Sequence, residues 1–259
     1  MSKATTPILE LRNVSKVFDF NGQRVQALSG ASLTVEKGEF ICLIGASGCG
    51  KSTLLRIAAG FETPTSGEVL MWGKPVEGPD PSRGMVFQDY GLFPWLTVRG
   101  NIAFGLVSRG RPKEEIAATV NRYMDMVGLR KFADAYPHQL SGGMKQRVAI
   151  ARVLANDAEM VLMDEPFGAL DAMTRDRLQD ELLELWAATG LTVLFVTHSI
   201  EEAVFLADRV VAMSPGPGRI DSELAIDLAR PRNVASPEFN VIRAGLNQRL
   251  HSHHARKAA

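Results

Sequence analysis

The feature that most restricts the fold is a five-residue run, Phe40–Ile44, that is nearly all apolar and passes directly into Gly45-Ala46-Ser47-Gly48-Cys49-Gly50-Lys51-Ser52-Thr53. A strand apolar on both faces belongs in a parallel sheet covered by helices. The residues after it fit G-x-x-x-x-G-K-[ST] and open a helix, Ser52–Ala59, that Gly60 stops. Glycines at these positions let successive backbone N–H groups turn inward around phosphate oxygens, and the helix N-terminus adds its partial positive charge there. The pattern places Lys51 on the β- and γ-phosphates of a nucleotide and Ser52 on Mg²⁺. An idle glycine-rich turn would not require both the apolar strand before it and the helix behind it.

The rest of the chain extends this layout. Met160–Met163 and Val193–Val196 share the apolar character of Phe40–Ile44, and helices at Pro112–Val127, Gly142–Ala155, Thr174–Ala188 and Ile200–Ala207 fall between or beside them. Such alternation defines a doubly wound α/β fold. Ahead of it, Ile8–Val14 and Ser32–Val35 read as strands set off by Asn21-Gly22 and Lys37-Gly38 turns. From about Tyr90 to Ala155 the chain carries helical periods such as Ile116, Val120, Tyr123 and Val127, which predict an inserted helical subdomain. After Met213, the Pro-Gly-Pro-Gly run at 215–218 turns into an alternating strand, Ile220 to Leu228, which Pro231 ends. Ser236-Pro237 starts a last helix carrying Phe239, Ile242, Leu246 and Leu250, ahead of a polar tail with His251, His253 and His254. That tail reads as a solvated end.

Composition narrows the function. With 46% hydrophobic residues in 259, the chain can bury a sizeable core. Twenty-nine Lys and Arg against twenty-nine Asp and Glu leave no basic field to attract nucleic acid or anionic lipid. Cys42 and Cys49 sit in or beside one strand and loop, so they read as thiols of a reducing compartment and not as a disulfide framework. No apolar leader and no run approaching the roughly 20 residues of a membrane span stands out, which predicts a soluble, unexported chain.

A second motif bears on the reaction. Met160-Val161-Leu162-Met163-Asp164-Glu165-Pro166 is an apolar strand that ends in two acids. Because side chains alternate along a strand, Asp164 and Glu165 leave in different directions at its carboxyl end. Asp164 suits Mg²⁺, while Glu165 suits a general base that polarises water for in-line attack on a γ-phosphate. A kinase would need an acceptor pocket in place of a positioned water. A third motif, Leu140-Ser141-Gly142-Gly143-Met144-Lys145-Gln146-Arg147, sets a good N-cap and two glycines at a helix start, which makes a second anion-binding turn.

In this order, the motifs resemble those of the ATP-binding-cassette ATPases, from about Ile8 to Met213. The resemblance implies a P-loop NTPase (RecA-like) core with an N-terminal antiparallel β-subdomain and an inserted α-helical subdomain. It divides the chain into an ATPase domain, 1–229, with its nucleotide-binding core at about 8–88 and 156–229 and its helical part at about 89–155, and a C-terminal helix and tail, 230–259. It also implies that Ser141, Gly142 and Gly143 of one subunit close on the γ-phosphate held by Gly45, Ser47, Gly48, Cys49, Gly50, Lys51, Ser52 and Thr53 of a second copy. The cofactors implied are ATP and Mg²⁺, the metal held by Ser52, Gln88 and Asp164.

Other positions carry over one by one. Phe18 matches the aromatic that stacks on adenine, with Phe20 close by and a core phenylalanine as the plain alternative. Gln88, after Met85-Val86-Phe87, matches a Mg²⁺-binding glutamine that senses the transport partner. Asp171, in Gly168-Ala169-Leu170-Asp171, matches a loop that touches the opposite subunit and also reads as a helix N-cap. His198 ends an apolar strand where the family has a histidine on the γ-phosphate, so Glu165, Gln88 and His198 form the expected catalytic set. The family usually follows this histidine with aspartate; here Ser199 and Glu202 make a capping box instead.

The segment Asp89-Tyr90-Gly91-Leu92-Phe93-Pro94-Trp95-Leu96 reads either as a folded-in core loop or as a groove for a helix of a multi-span membrane permease. Together with Asn101–Leu106 and Met213–Ile220, it resembles the importer branch that serves nitrate, sulfonate, taurine and bicarbonate. That branch implies a peripheral subunit on the cytoplasmic face of the plasma membrane, homodimeric in the simplest case, linked through the permease to a solute-binding protein. The alternatives are a soluble cassette acting on nucleic acid or ribosome, and a P-loop kinase.

Overall fold

The computed structural model describes residues 6–168 and 170–257. It divides into two compact units, one formed by the segments up to Pro79 and from Thr192, the other by Asp80–Leu191.

The first unit holds two sheets. In one, β1 (Leu9–Phe20) and β2 (Gln23–Val35) form an antiparallel hairpin joined at Asn21-Gly22, and β1 pairs on its other edge with β4 (Ser66–Met71), which pairs with β5 (Lys74–Pro75). In the other, β3 (Phe40–Ile44) runs parallel to both β8 (Thr192–Val196) and β9 (Arg209–Ser214), while β10 (Arg219–Ala225) is antiparallel to β9. Every residue of β3 and β8 is buried, as strands apolar on both faces require. Three helices belong to this unit: α1 (Lys51–Ala59), α6 (Ile200–Leu206) and α7 (Pro237–Lys257).

The second unit pairs β6 (Arg83–Val86) with β7 (Met160–Asp164) in parallel, with Val86 opposite Met163. Around this pair stand α2 (Val98–Ser108), α3 (Lys113–Met126), α4 (Gly142–Leu154) and α5 (Ala172–Thr189), with short 3₁₀ turns at Arg130–Phe132 and Pro137–Gln139. Val98, Ile102, Leu106, Val120, Met124, Val148 and Ala151 bring α2, α3 and α4 around one apolar core.

Four boundaries differ most from those expected, and one of them is β2, which begins at Gln23 and not at Ser32. The first strand runs on past Val14 to Phe20, because register shifts around Val14 and Lys16 break the alternation without ending the pairing. The alternating strand stops at Ala225 and not at Leu228: the Ile226 amide still reaches the Asp208 carbonyl at 2.8 Å, but the Leu228 carbonyl accepts from Arg232 Nε at 3.1 Å. The last helix continues through the tail to Lys257. The side chains of Phe20, Ala169, His251, His253 and His254 lie outside those described.

Candidate functional site

The phosphate loop leaves β3 and enters α1 through Gly50, which has a φ of 94°. A side chain at Gly50 would meet Leu28 Cδ2 at 2.7 Å and the Ala27 carbonyl at 2.8 Å, so conformation and close approach both require glycine. With Gly50 as cap, no side chain among the described residues caps α1. Lys51 is 6% exposed, and its Nζ donates to the Gly45 carbonyl at 2.9 Å and the Ala46 carbonyl at 3.1 Å. The ammonium therefore sits inside the loop and does not extend to solvent. Ser47 and Gly48 form the exposed rim, and Ser52 and Thr53 are half-buried in the first turn. Burial pushes the Cys49 thiol up from its ordinary range and the Cys42 thiol well up, so neither is a nucleophile at neutral pH.

His198 stands exposed two residues beyond β8, after the buried Thr197. With Gly45, Ala46 and Ser47 it lines a cavity of about 320 Å³ whose other walls include Met213 and Asn247. Ser199 caps α6, its hydroxyl accepting from the Glu202 amide at 3.2 Å, which is the local structure expected of a serine replacing the aspartate. Phe18 is half-buried in β1, and the Lys16 ammonium lies 4.9 Å from its ring centroid. It is not a core phenylalanine.

In the second unit, the parallel register of Val86 with Met163 sets Gln88 and Glu165 level, each two residues further along. Gly168 brings this closer: a Cβ there would lie 3.7 Å from Gln88 Nε2 and 3.8 Å from Glu165 Oε2. Glu165 has a φ of 46°, a conformation that costs a non-glycine residue energy and that marks functional positions more often than others. Asp164, the last residue of β7, is half-buried. Asp171 caps α5, accepting from the Thr174 amide at 3.0 Å, and that hydrogen bond holds its carboxyl below the ordinary range.

The signature turn departs from expectation in one respect. Ser141 caps α4 by accepting from the Met144 amide at 3.3 Å, and Gly142 is half-buried with Tyr90 Oη and Leu170 beside it. Gly143, expected to bare its amide, is buried: a Cβ there would meet both Leu178 methyls at 3.2 and 3.3 Å. The second glycine thus admits α5 against α4, and only the first faces outward.

The segment after Gln88 lies on the surface, with Trp95 68% exposed and Phe104 42% exposed. Phe87, Gly91, Phe93, Phe104, Arg152 and Asn156 line an apolar depression of about 420 Å³. Asn101 and Arg152 hold this segment in place. Asn101, fully buried, donates to the carbonyls of Phe93, Leu96 and Thr97 at 3.0–3.2 Å and accepts from the Phe93 amide at 2.9 Å. Arg152, near the end of α4, donates to the Gly91 carbonyl at 2.6 Å and the Tyr90 carbonyl at 3.2 Å and lies 5.4 Å over the Phe93 ring. A lone cation within the otherwise apolar Val148–Ala155 stretch was the signal for Arg152; nothing local marked Asn101.

Residues 28–168 match the family described as ABC transporter. An uncharacterized ABC transporter ATP-binding protein of Methanocaldococcus jannaschii is 57% identical over 89% of this chain and 86% of its own length. The nitrate import ATP-binding protein of Synechocystis sp. is 51% identical, and the taurine import ATP-binding protein of Roseobacter denitrificans 50% identical, each over 85% of this chain and 83% of its own length. Among solved structures, a dimeric ATP-binding cassette in a post-hydrolysis state, bound to ADP and phosphate, superposes with a TM-score of 0.73 at 33% identity, covering 85% of this chain and 100% of that one.

The chain belongs to the ABC transporter family. It is an ATP-binding ATPase with a P-loop NTPase core, an antiparallel β-subdomain and an inserted helical subdomain, and it resembles the taurine and nitrate import branch.

Proposed function

We propose that this chain hydrolyses ATP to power solute import through a separate membrane permease, working as a homodimer with shared sites. The observation that carries the reading is the presence of two glycine-fronted helix starts in one chain, α1 capped by glycine behind a loop into which Lys51 folds and α4 capped by the Ser141 side chain. In a pair of copies, the phosphate loop of one and the Ser141-Gly142 turn of the other hold the two sides of one triphosphate.

The chemistry follows from groups already described. Lys51 and the amides of Gly48–Thr53 hold the β- and γ-phosphates, Phe18 stacks on adenine, and His198 donates to the γ-phosphate. Ser52, Gln88 and Asp164 would hold Mg²⁺; their three oxygens suit a hard cation, which when bound neutralises charge on the β- and γ-phosphates. Glu165 takes a proton from the attacking water as its oxygen bonds to the γ-phosphorus. The bond from that phosphorus to the bridging oxygen breaks, and ADP leaves with the electron pair. Asp171 belongs to the loop that meets the opposite copy.

The apolar depression beside Gln88, with Trp95 on the surface nearby, is the docking place for a helix of the permease. Arg152 ties the lining of that depression to α4, so a push on it reaches the helix that starts at the signature. Among the described residues no helix is long and apolar enough to cross a membrane, and the subunit works peripherally on the cytoplasmic face. The names of the relatives support a small anion such as nitrate, taurine or another sulfonate as the solute, delivered by a solute-binding protein.

The decisive experiment is Glu165→Gln. Hydrolysis should fall by about 10²–10⁴-fold, while ATP should accumulate the chain as a dimer on sizing columns. Loss of hydrolysis with no ATP-dependent dimer would remove the shared site. Co-purification with a multi-span permease checks the transport role.

A further inference from the structure

The catalytic reading gives His198 a place but does not explain what holds it there. His198 precedes α6, a helix of only seven residues, and helices so short owe their stability to what surrounds them. Each end of α6 is fastened by a residue from beyond the matched family segment, in the stretch from Ile226 to Leu250.

At the carboxyl end, Arg232 is buried at 6% exposure, and its guanidinium acts as a plug. Its Nη1 donates to the carbonyls of Val204, Phe205 and Ala207 at 2.7, 3.2 and 2.6 Å, its Nη2 to Ile226 at 3.2 Å and its Nε to Leu228 at 3.1 Å. Arg230 reaches the Leu206 carbonyl and the Asp208 carboxylate, both at 2.6 Å. A helix end leaves its last carbonyls without intrahelical donors, and a planar cation with five N–H groups meets both that need and the negative end of the helix dipole. At the amino end, Arg243 of α7 pairs with Glu201 in the first turn of α6 at 2.7 Å. Phe239 and Leu246, 0% and 1% exposed, seat α7. One turn on, Asn247 and Leu250 complete the wall of the cavity that His198 shares with Gly45, Ala46 and Ser47.

We propose that Arg232 and Arg243 are positioning residues for His198, acting through α6: the first fixes the helix along its axis, the second fixes its amino end beside the phosphate loop. The proposal rests on the reading of His198 as the γ-phosphate contact. Neither arginine lines the cavity beside the phosphate loop, so each should affect the chemical step and not ATP capture, which belongs to the phosphate loop.

The test uses the full-length chain. The side chains of the pair Arg243–Glu201 are 45% and 53% exposed, so its reversal should leave the fold intact, whereas Arg232 is buried and its variants can fail to fold. Arg243→Glu faces Glu201 with a like charge and should lower kcat about tenfold, as small misplacements of a catalytic group do, with KM for ATP and Tm little changed. The double variant Arg243→Glu/Glu201→Arg should restore kcat. In a His198→Ala background, Arg243→Glu should cost nothing further, because both changes then act on the same contact. An unchanged kcat in Arg243→Glu, no rescue by the swap, or a full additional loss on top of His198→Ala overturns the proposal. If His198→Ala itself leaves kcat intact, the reading of His198 fails first, and the two failures are told apart.

Discussion

Two helices of this chain begin at glycine-rich turns, and they are finished differently. The start of α1 has glycine as its cap, no capping side chain among the described residues, and a lysine folded into the loop before it. The start of α4 is capped by the Ser141 hydroxyl and has Gly143 buried under Leu178. The first has the parts of a self-sufficient anion site. The second has already satisfied part of its donor set within the chain, which leaves it suited to finishing a site held elsewhere. One chain thus carries a strong half and a weak half, and the proposed pairing of copies would use both.

The comparison breaks first at Lys51. Lys51→Ala should remove the charge from the strong half and lower hydrolysis by about 10²–10³-fold or more, the scale of losing one preorganised donor, with nucleotide binding weakened in a fluorescent-ATP titration. At the weak half, Gly143→Val should destabilise the fold by about 1–3 kcal/mol through overpacking against Leu178, and Leu178→Ala should recover part of the loss in thermal unfolding. Ser141→Ala removes a cap of about 1 kcal/mol; calorimetry should show a small drop in Tm, while ATP binding to isolated copies stays normal. The smallest effect sharpens the contrast with a third start, α5, capped by the Asp171 carboxylate. The Thr174 amide holds this carboxyl below its ordinary 3.8 in the folded chain. The cap therefore contributes fully above that value and is lost as pH falls through the folded pKa. Asp171→Asn should flatten the acid limb of a Tm-against-pH curve, and an unchanged limb would show that the cap is not felt.

The strong half was legible in the sequence because it is contiguous: strand, loop and helix follow one another within twenty residues. The acids at Asp164 and Glu165 were legible for the same reason, as the end of an apolar run. What stayed hidden depended on distant partners. β4 opens with the exposed residues Ser66-Gly67-Glu68, and only its pairing with β1, more than fifty residues away, makes it a strand. Gly143 reads as a bare amide until Leu178 is placed on it. Arg230 and Arg232 look like surface charges around a proline until their carbonyl acceptors, more than twenty residues earlier, come into view. Asn101 has no periodicity to betray it, since its partners belong to a loop and not to a helix face.

Of the three tryptophans in the chain, Trp72 and Trp186 are half-buried and only Trp95 is largely exposed, beside the depression that the permease is proposed to fill. An indole moved from water into an apolar contact emits at shorter wavelength. The chain therefore carries its own optical gauge: a blue shift on mixing with detergent-solubilised permease, absent from Trp95→Phe, would report docking without any label, and its dependence on nucleotide would say at which stage of the cycle the two proteins grip.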